Sequence, residues 1–185
     1  MIILTRPFSH KKNEMQSLFE FKTNPEDTKI VHLILQDETR CNVSREIAQM
    51  SLLVKEMLEE DEDDDTPEIP IPNVSKEIMS IALEFAKHHV HDPMAPIEKP
   101  IMSDKMKDIV SPWDADYIDK LDHSTLFSLI LAANYLNIPA LLDLSCAKVA
   151  SLIKGKTPEE IRALFKITLV MEQEEEKQIE QRWSS

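Results

Sequence analysis

LILAANYLNIPALLDLSCAKVASLIKGKTPEEIRALF, residues Leu129–Phe165, carries the clearest helix signals in the chain. Asn137 is a good N-cap, and Pro139 in the turn that follows loses nothing by lacking an N–H. The helix so opened is expected to end at Lys154-Gly155. Gly155, the only glycine of the chain, can take the left-handed conformation that a C′ position favours. Thr157-Pro158-Glu159-Glu160 then spells a capping box, with Thr157 at N-cap, Pro158 at N1 and Glu160 reaching back from N3. The segments before and after Asn137 are too apolar for surface helices and need partners on more than one face. Leu142, Cys146, Val149 and Ile153 form one stripe at three- and four-residue spacing, while Leu141, Leu144 and Leu152 lie off it. One stripe can face a core while the other takes a partner. Ile161, Leu164 and Phe165 repeat the pattern in a helix too short to stand alone.

Upstream, Ile30–Leu35 and Arg40–Val43 read as two strands of a hairpin turning at Asp37-Glu38. Glu38 resists the positive φ of a tight turn, so a longer or differently shaped turn is expected. Ser44 and Ser51 are placed to cap two short helices, and Ser75 a longer one with Ile78, Ile81, Ala82 and Phe85 on one stripe. The acidic run Glu59–Asp65 repels itself and reads as a solvated loop. Ile69-Pro70-Ile71-Pro72 is extended but lacks donors, which confines it to a sheet edge. His91–Val110 shows no period and reads as a long loop; Asp114–Leu121 reads as a short helix. Thr125–Leu136 follows with Asp122 or Ser124 as cap. Residues 1–28 show no sustained period and read as a flexible extension, with a short helix near Asn13–Phe21 as the alternative. Three short strands and stacked helices make an α+β chain.

Composition narrows the function. A single glycine excludes the glycine-rich phosphate loops, and a net charge of −13 argues against nucleic acid as a partner. Acidity instead favours basic protein partners. No run approaches the ~18–20 apolar residues of a membrane span, and the apolar start Met1–Leu4 is too short for a signal peptide. Cys41 and Cys146 lack any CxxC context and read as free, buried thiols of a cytosolic or nuclear protein rather than as a disulfide. His88-His89-x-His91 has no further ligands at metal spacing and reads as cations at a helix end. No nucleophile elbow or Cys–His arrangement is present, so neither catalysis nor a cofactor is expected. Binding surface is what the sequence supplies. Phe127 and its apolar neighbours surround the Thr125–Leu136 helix, and Asn134 and Tyr135 close it with polar tips.

AANYL, LLDL and IKGKTPEEIR resemble the Skp1 family of ubiquitin-ligase adaptors. The resemblance continues in Glu46-Ile47-Ala48, Lys55–Glu59, the acidic run before Ile71-Pro72-Asn73-Val74, His88-His89 and Pro112-Trp113-Asp114. It spans Lys29 to Trp183. It implies a BTB/POZ domain over residues 29–136 after the extension 1–28, and a helical F-box-binding region over 137–185. It also implies a non-catalytic adaptor that links F-box proteins to a cullin, with self-association possible in principle. By resemblance Asn134 and Tyr135 face the cullin, while Phe127, Val149, Ile153, Ile161, Phe165 and Trp183 face the F-box. Three departures stand out. Trp183 is followed by Ser184-Ser185 rather than by cysteine and acids. The segment before Trp183 is about two residues short, a helical rotation of ~200°. Ala140 occupies the place where some lineages hydroxylate a proline. The alternative is a scaffold that keeps F-box binding or self-association without a cullin.

Overall fold

Residues 29–60 and 67–166 are described by the structure, a computed structural model of the chain. Strand β1 (Ile30–Leu35) buries Val31, Leu33 and Leu35 in strict alternation, and β2 (Arg40–Ser44) buries Cys41 and Val43. The two pair antiparallel with Leu33 opposite Cys41 and Val31 opposite Val43, which puts the apolar sets on one face. The turn between them has a three-residue loop, closed by Leu35 N–H donating to Thr39 O at 3.0 Å. Glu38 adopts φ 61. The expectation that Glu38 would resist positive φ is corrected: the loop takes the form that places one left-handed residue third. The Asp37 carboxylate accepts the Thr39 N–H at 3.1 Å, and hydrogen bonding from Thr39 holds its carboxyl below the ordinary range.

Strand β3 (Glu68–Ile71) lies parallel to β1 on its other side, giving the order β2-β1-β3. Pro70 is tolerated because this strand is an edge. Helices α1 (Arg45–Ala48) and α2 (Leu52–Glu60) separate β2 from β3. Ser44 makes no side-chain capping bond, whereas Ser51 Oγ accepts the Val54 N–H at 3.2 Å. Of the acidic run, Glu59 and Glu60 end α2 and the rest lies outside the described residues.

Helix α3 (Lys76–His89) is capped by Ser75 and turns Ile78, Ala82 and Phe85 inward, with Ile81 half-buried beside them. The following loop is pinned by buried Ile97 and Met106, the latter in a 3-10 turn over Met106–Asp108. Helix α4 (Pro112–Asp119) starts two residues before the expected Asp114 because Ser111 caps it, accepting the Asp114 N–H at 3.2 Å. Helix α5 (His123–Tyr135) packs against α3 and sends Leu126, Leu129 and Ala133 into the core. Helix α6 (Pro139–Ile153) ends as expected with Gly155 at φ 70.

Two compact units divide the chain after Leu152, so nearly all of α6 belongs with the sheet and α1–α5. The described part of the second unit is α7 (Pro158–Phe165) with its capping box. Thr157 N–H donates to Glu160 Oε2 at 2.8 Å, and Glu160 N–H returns to Thr157 Oγ1 at 3.3 Å. Among the described residues, no buried side-chain nitrogen or oxygen lacks a partner.

Candidate functional site

Helix α5 carries large apolar side chains on its solvent side as well as on its buried one. Asp122 caps it by accepting the Thr125 N–H at 2.8 Å, and the hydrogen bonds from Thr125 hold its carboxyl below the usual range. With Leu126, Leu129, Ala132 and Ala133 buried, the 3.6-residue period turns Phe127, Leu131 and Asn134 outward together. Phe127 is 39% exposed and Leu131 72%, while Ile130 and Tyr135 are half-buried at the margins. Phe127 and Asn134, assigned by resemblance to different partners, thus share one face of one helix. Leu131, one of the apolar residues surrounding this helix, is assigned by resemblance to neither partner. Its position four after Phe127 and three before Asn134 is the signal that could have found it.

The end of α5 is fixed by a feature the sequence reading misplaced. Asn137 is not the N-cap of α6. It sits in the left-handed region at φ 51 and terminates α5 instead. Ile138 N–H donates back to Ala133 O at 2.9 Å and Asn137 N–H to Asn134 O at 3.1 Å, the two bonds of a Schellman closure. The carbonyl of Ile138 takes the first bond of α6, from Leu142 N–H. The remaining carbonyls of the corner meet the start of α2. Ser51 Oγ donates to Leu136 O at 2.5 Å, and Leu52 N–H to Asn137 O at 3.1 Å. One helix's orphan acceptors thus satisfy another's orphan donors. Asn134, exposed, and Tyr135 are held on a braced corner.

In α6 the choice between the two stripes is settled. Leu141, Leu144 and Ala147 are buried, and Ser145 and Ser151 satisfy their hydroxyls on carbonyls of their own helix at 2.7 and 2.8 Å. Leu142, Val149 and Ile153 are half-buried, and Cys146 is exposed. The expectation of two buried thiols therefore fails for Cys146: it lies on the stripe that does not enter the core. Cys41 is fully buried, and burial pushes its thiol up to about 11. Both cysteines are free. In α7, Ile161 and Phe165 lie one turn apart and are half-buried, and the helix has no fully buried residue. Trp183 lies outside the described residues.

The histidine cluster is also corrected in part. His89 is no surface cation at the end of α3: it is 4% exposed and wedged between the loop and α4. Its Nδ1 lies 2.7 Å from the Asp92 carbonyl oxygen, which can only accept, and its Nε2 lies 2.8 Å from Asp114 Oδ1. Asp114, itself 2% exposed, accepts the Ser111 hydroxyl on its other oxygen at 2.8 Å. His88 stacks on Trp113 with centroids 3.6 Å apart. Among the described residues no group of His, Cys, Asp or Glu is arranged to hold a metal ion. No helix there is long and apolar enough to cross a membrane.

What the arrangement offers is braced apolar surface on α5 and α6. The sequence model of the Skp1 family tetramerisation domain matches residues 29–91, and that of the Skp1 family dimerisation domain matches residues 139–183. The chain is 46% identical over 159 residues to the S-phase kinase-associated protein 1 homolog of Tetrahymena thermophila, covering 85% of this chain and 94% of that one. It is 44% identical over 150 residues to the SCF ubiquitin ligase complex protein SKP1a of Dictyostelium discoideum, covering 81% and 91%. To the SKP1-like protein 1A of Arabidopsis thaliana it is 43% identical over 144 residues, covering 77% and 88%. With likeness of this extent running through both matched domains, the chain belongs to the Skp1 family.

Proposed function

We propose that this protein is a non-catalytic adaptor of an SCF-type ubiquitin ligase, joining F-box substrate receptors to a cullin. The observation that carries the reading is apolar surface left outside the core on two consecutive helices of a Skp1-family chain. On α5 it comprises exposed Phe127 and Leu131 beside the Asn134–Tyr135 corner, and on α6 the outer sides of the half-buried Leu142, Val149 and Ile153, of which Leu142 and Val149 pack against the core with their inner sides. Relatives at similar identity are named as subunits of SCF ubiquitin ligases. In this reading Asn134 and Tyr135 take the cullin. Phe127, Val149, Ile153, Ile161, Phe165 and Trp183 take the F-box. The adaptor contributes proximity: it holds a receptor's substrate near the group that transfers ubiquitin. Two free thiols suit the reducing cytosol and nucleus.

Tyr135→Lys tests the cullin assignment. A charge forced into an apolar contact should weaken cullin binding by on the order of 2–4 kcal/mol and leave F-box binding nearly unchanged. Unaltered cullin affinity of the folded variant, measured by calorimetry, would show that this corner is not the cullin face. A second reading, a self-associating scaffold outside the ligase, draws on the description of the two matched domains as dimerisation and tetramerisation domains. Co-purification separates the two: cullin together with F-box proteins supports the adaptor, and F-box proteins or self-association alone the scaffold.

A further inference from the structure

The loop between α3 and α4 uses none of the residues assigned above, and it falls between the two stretches matched by the family models. It nevertheless has a built shape. Ile97 and Met106 are buried and anchor it at two points, and Lys99 Nζ reaches Asp143 Oδ1 on α6 at 3.1 Å. Beside these anchors the loop forms an open groove of about 540 Å³. Pro100, Ile101, Met102 and Ile109 supply its apolar lining, and Glu98 and Asp108 its charge. Met102 is 76% exposed, a large and adaptable side chain left in water.

The charge of the groove is one-sided. Of the loop's three lysines, Lys99 is engaged on Asp143 and Lys107 on Asp116, the latter also at 3.1 Å, while the exposed Lys105 is not part of the groove's lining. Asp108 accepts the Ser103 hydroxyl at 2.8 Å, and neither it nor Glu98 forms an ion pair among the described residues. An apolar lining beside two unneutralised carboxylates is complementary to an aliphatic side chain flanked by lysine or arginine. The net charge of −13 would steer such a segment toward the molecule.

We propose that the groove over residues 96–109 binds a short basic–aliphatic segment of a partner protein, at a site separate from the α5 and α6 surfaces. Titrating the labelled full-length chain with the capped peptide Lys-Arg-Leu-Lys-Arg and following amide shifts by NMR tests it. Saturable shifts confined to residues 96–109 are expected. Combining Glu98→Gln with Asp108→Asn should weaken binding roughly tenfold, the summed effect of two exposed charge contacts. Met102→Ser should weaken it too; all three side chains are exposed, so thermal melts should confirm an intact fold. The peptide Lys-Arg-Ser-Lys-Arg should bind clearly less. Equal binding of that serine peptide, shifts centred on other acidic segments, or no shifts at all would overturn the proposal. So would groove shifts that follow protein concentration without peptide, which would make a second copy the occupant.

Discussion

Cys41 and Cys146 carry the same thiol into opposite surroundings. Iodoacetamide should label Cys146 in the native protein within minutes and reach Cys41 only on unfolding, as peptide mass spectrometry would show; equal labelling would contradict the burial of Cys41. Binding of an F-box partner to the outer stripe of α6 should then shield Cys146. Cys41 also makes stability depend on pH in the alkaline range. Its thiol is raised from 9.0 to about 11 in the fold, so the native state favours the protonated form. The contribution is full below pH 9 and is lost as pH rises through 11. The loss amounts to about 3 kcal/mol and should be absent in Cys41→Ala. The sequence placed both thiols inside because cysteine is among the most buried residue types. For Cys41 the strand alternation settles the matter. For Cys146 it could not, since α6 has two apolar stripes and only packing decides which one enters the core.

At the scale of elements, the start of α7 was legible and the end of α5 was not, although both are helix termini. Thr157-Pro158-Glu159-Glu160 closes its box within four residues and needs nothing from elsewhere. Asn137 suits either an N-cap or a left-handed C′ position, and the choice rests on bonds from Ser51 and Leu52, far off in sequence. Substitution separates the two roles. Asn137→Gly should leave stability within about 0.5 kcal/mol, because glycine takes positive φ freely. Asn137→Ser should cost about 1 kcal/mol, because serine is a good N-cap but a poor left-handed residue. Urea titrations of the two variants decide it, and a neutral serine with a destabilising glycine would restore the N-cap role. The same locality explains the edge strand β3: Pro70 announced it. Its parallel pairing to β1 rests on a crossover that no local signal encodes.

For the whole molecule, the division after Leu152 separates a unit with its own core from α7, which has no fully buried residue. A short helix with that exposure has little intrinsic stability. Hydrogen exchange should therefore find Thr157–Phe165 weakly protected in the free protein and strongly protected with an F-box partner, while α5 stays protected throughout. High protection of α7 in both states would mean that it needs no partner to fold. The larger unit has a different kind of constraint, in the buried contact of His89 with Asp114. Each satisfies the other, and removal of either leaves a buried polar group without its partner, at a cost of ~3–5 kcal/mol if the lost group is a charge. Replacing both with apolar residues of matching volume is far milder. The two positions, 25 apart in the chain, are thus bound as strictly in sequence drift as in space. A lineage that leaves this arrangement has to change both at nearly the same time, and a lineage that changes one is pressed to change it back.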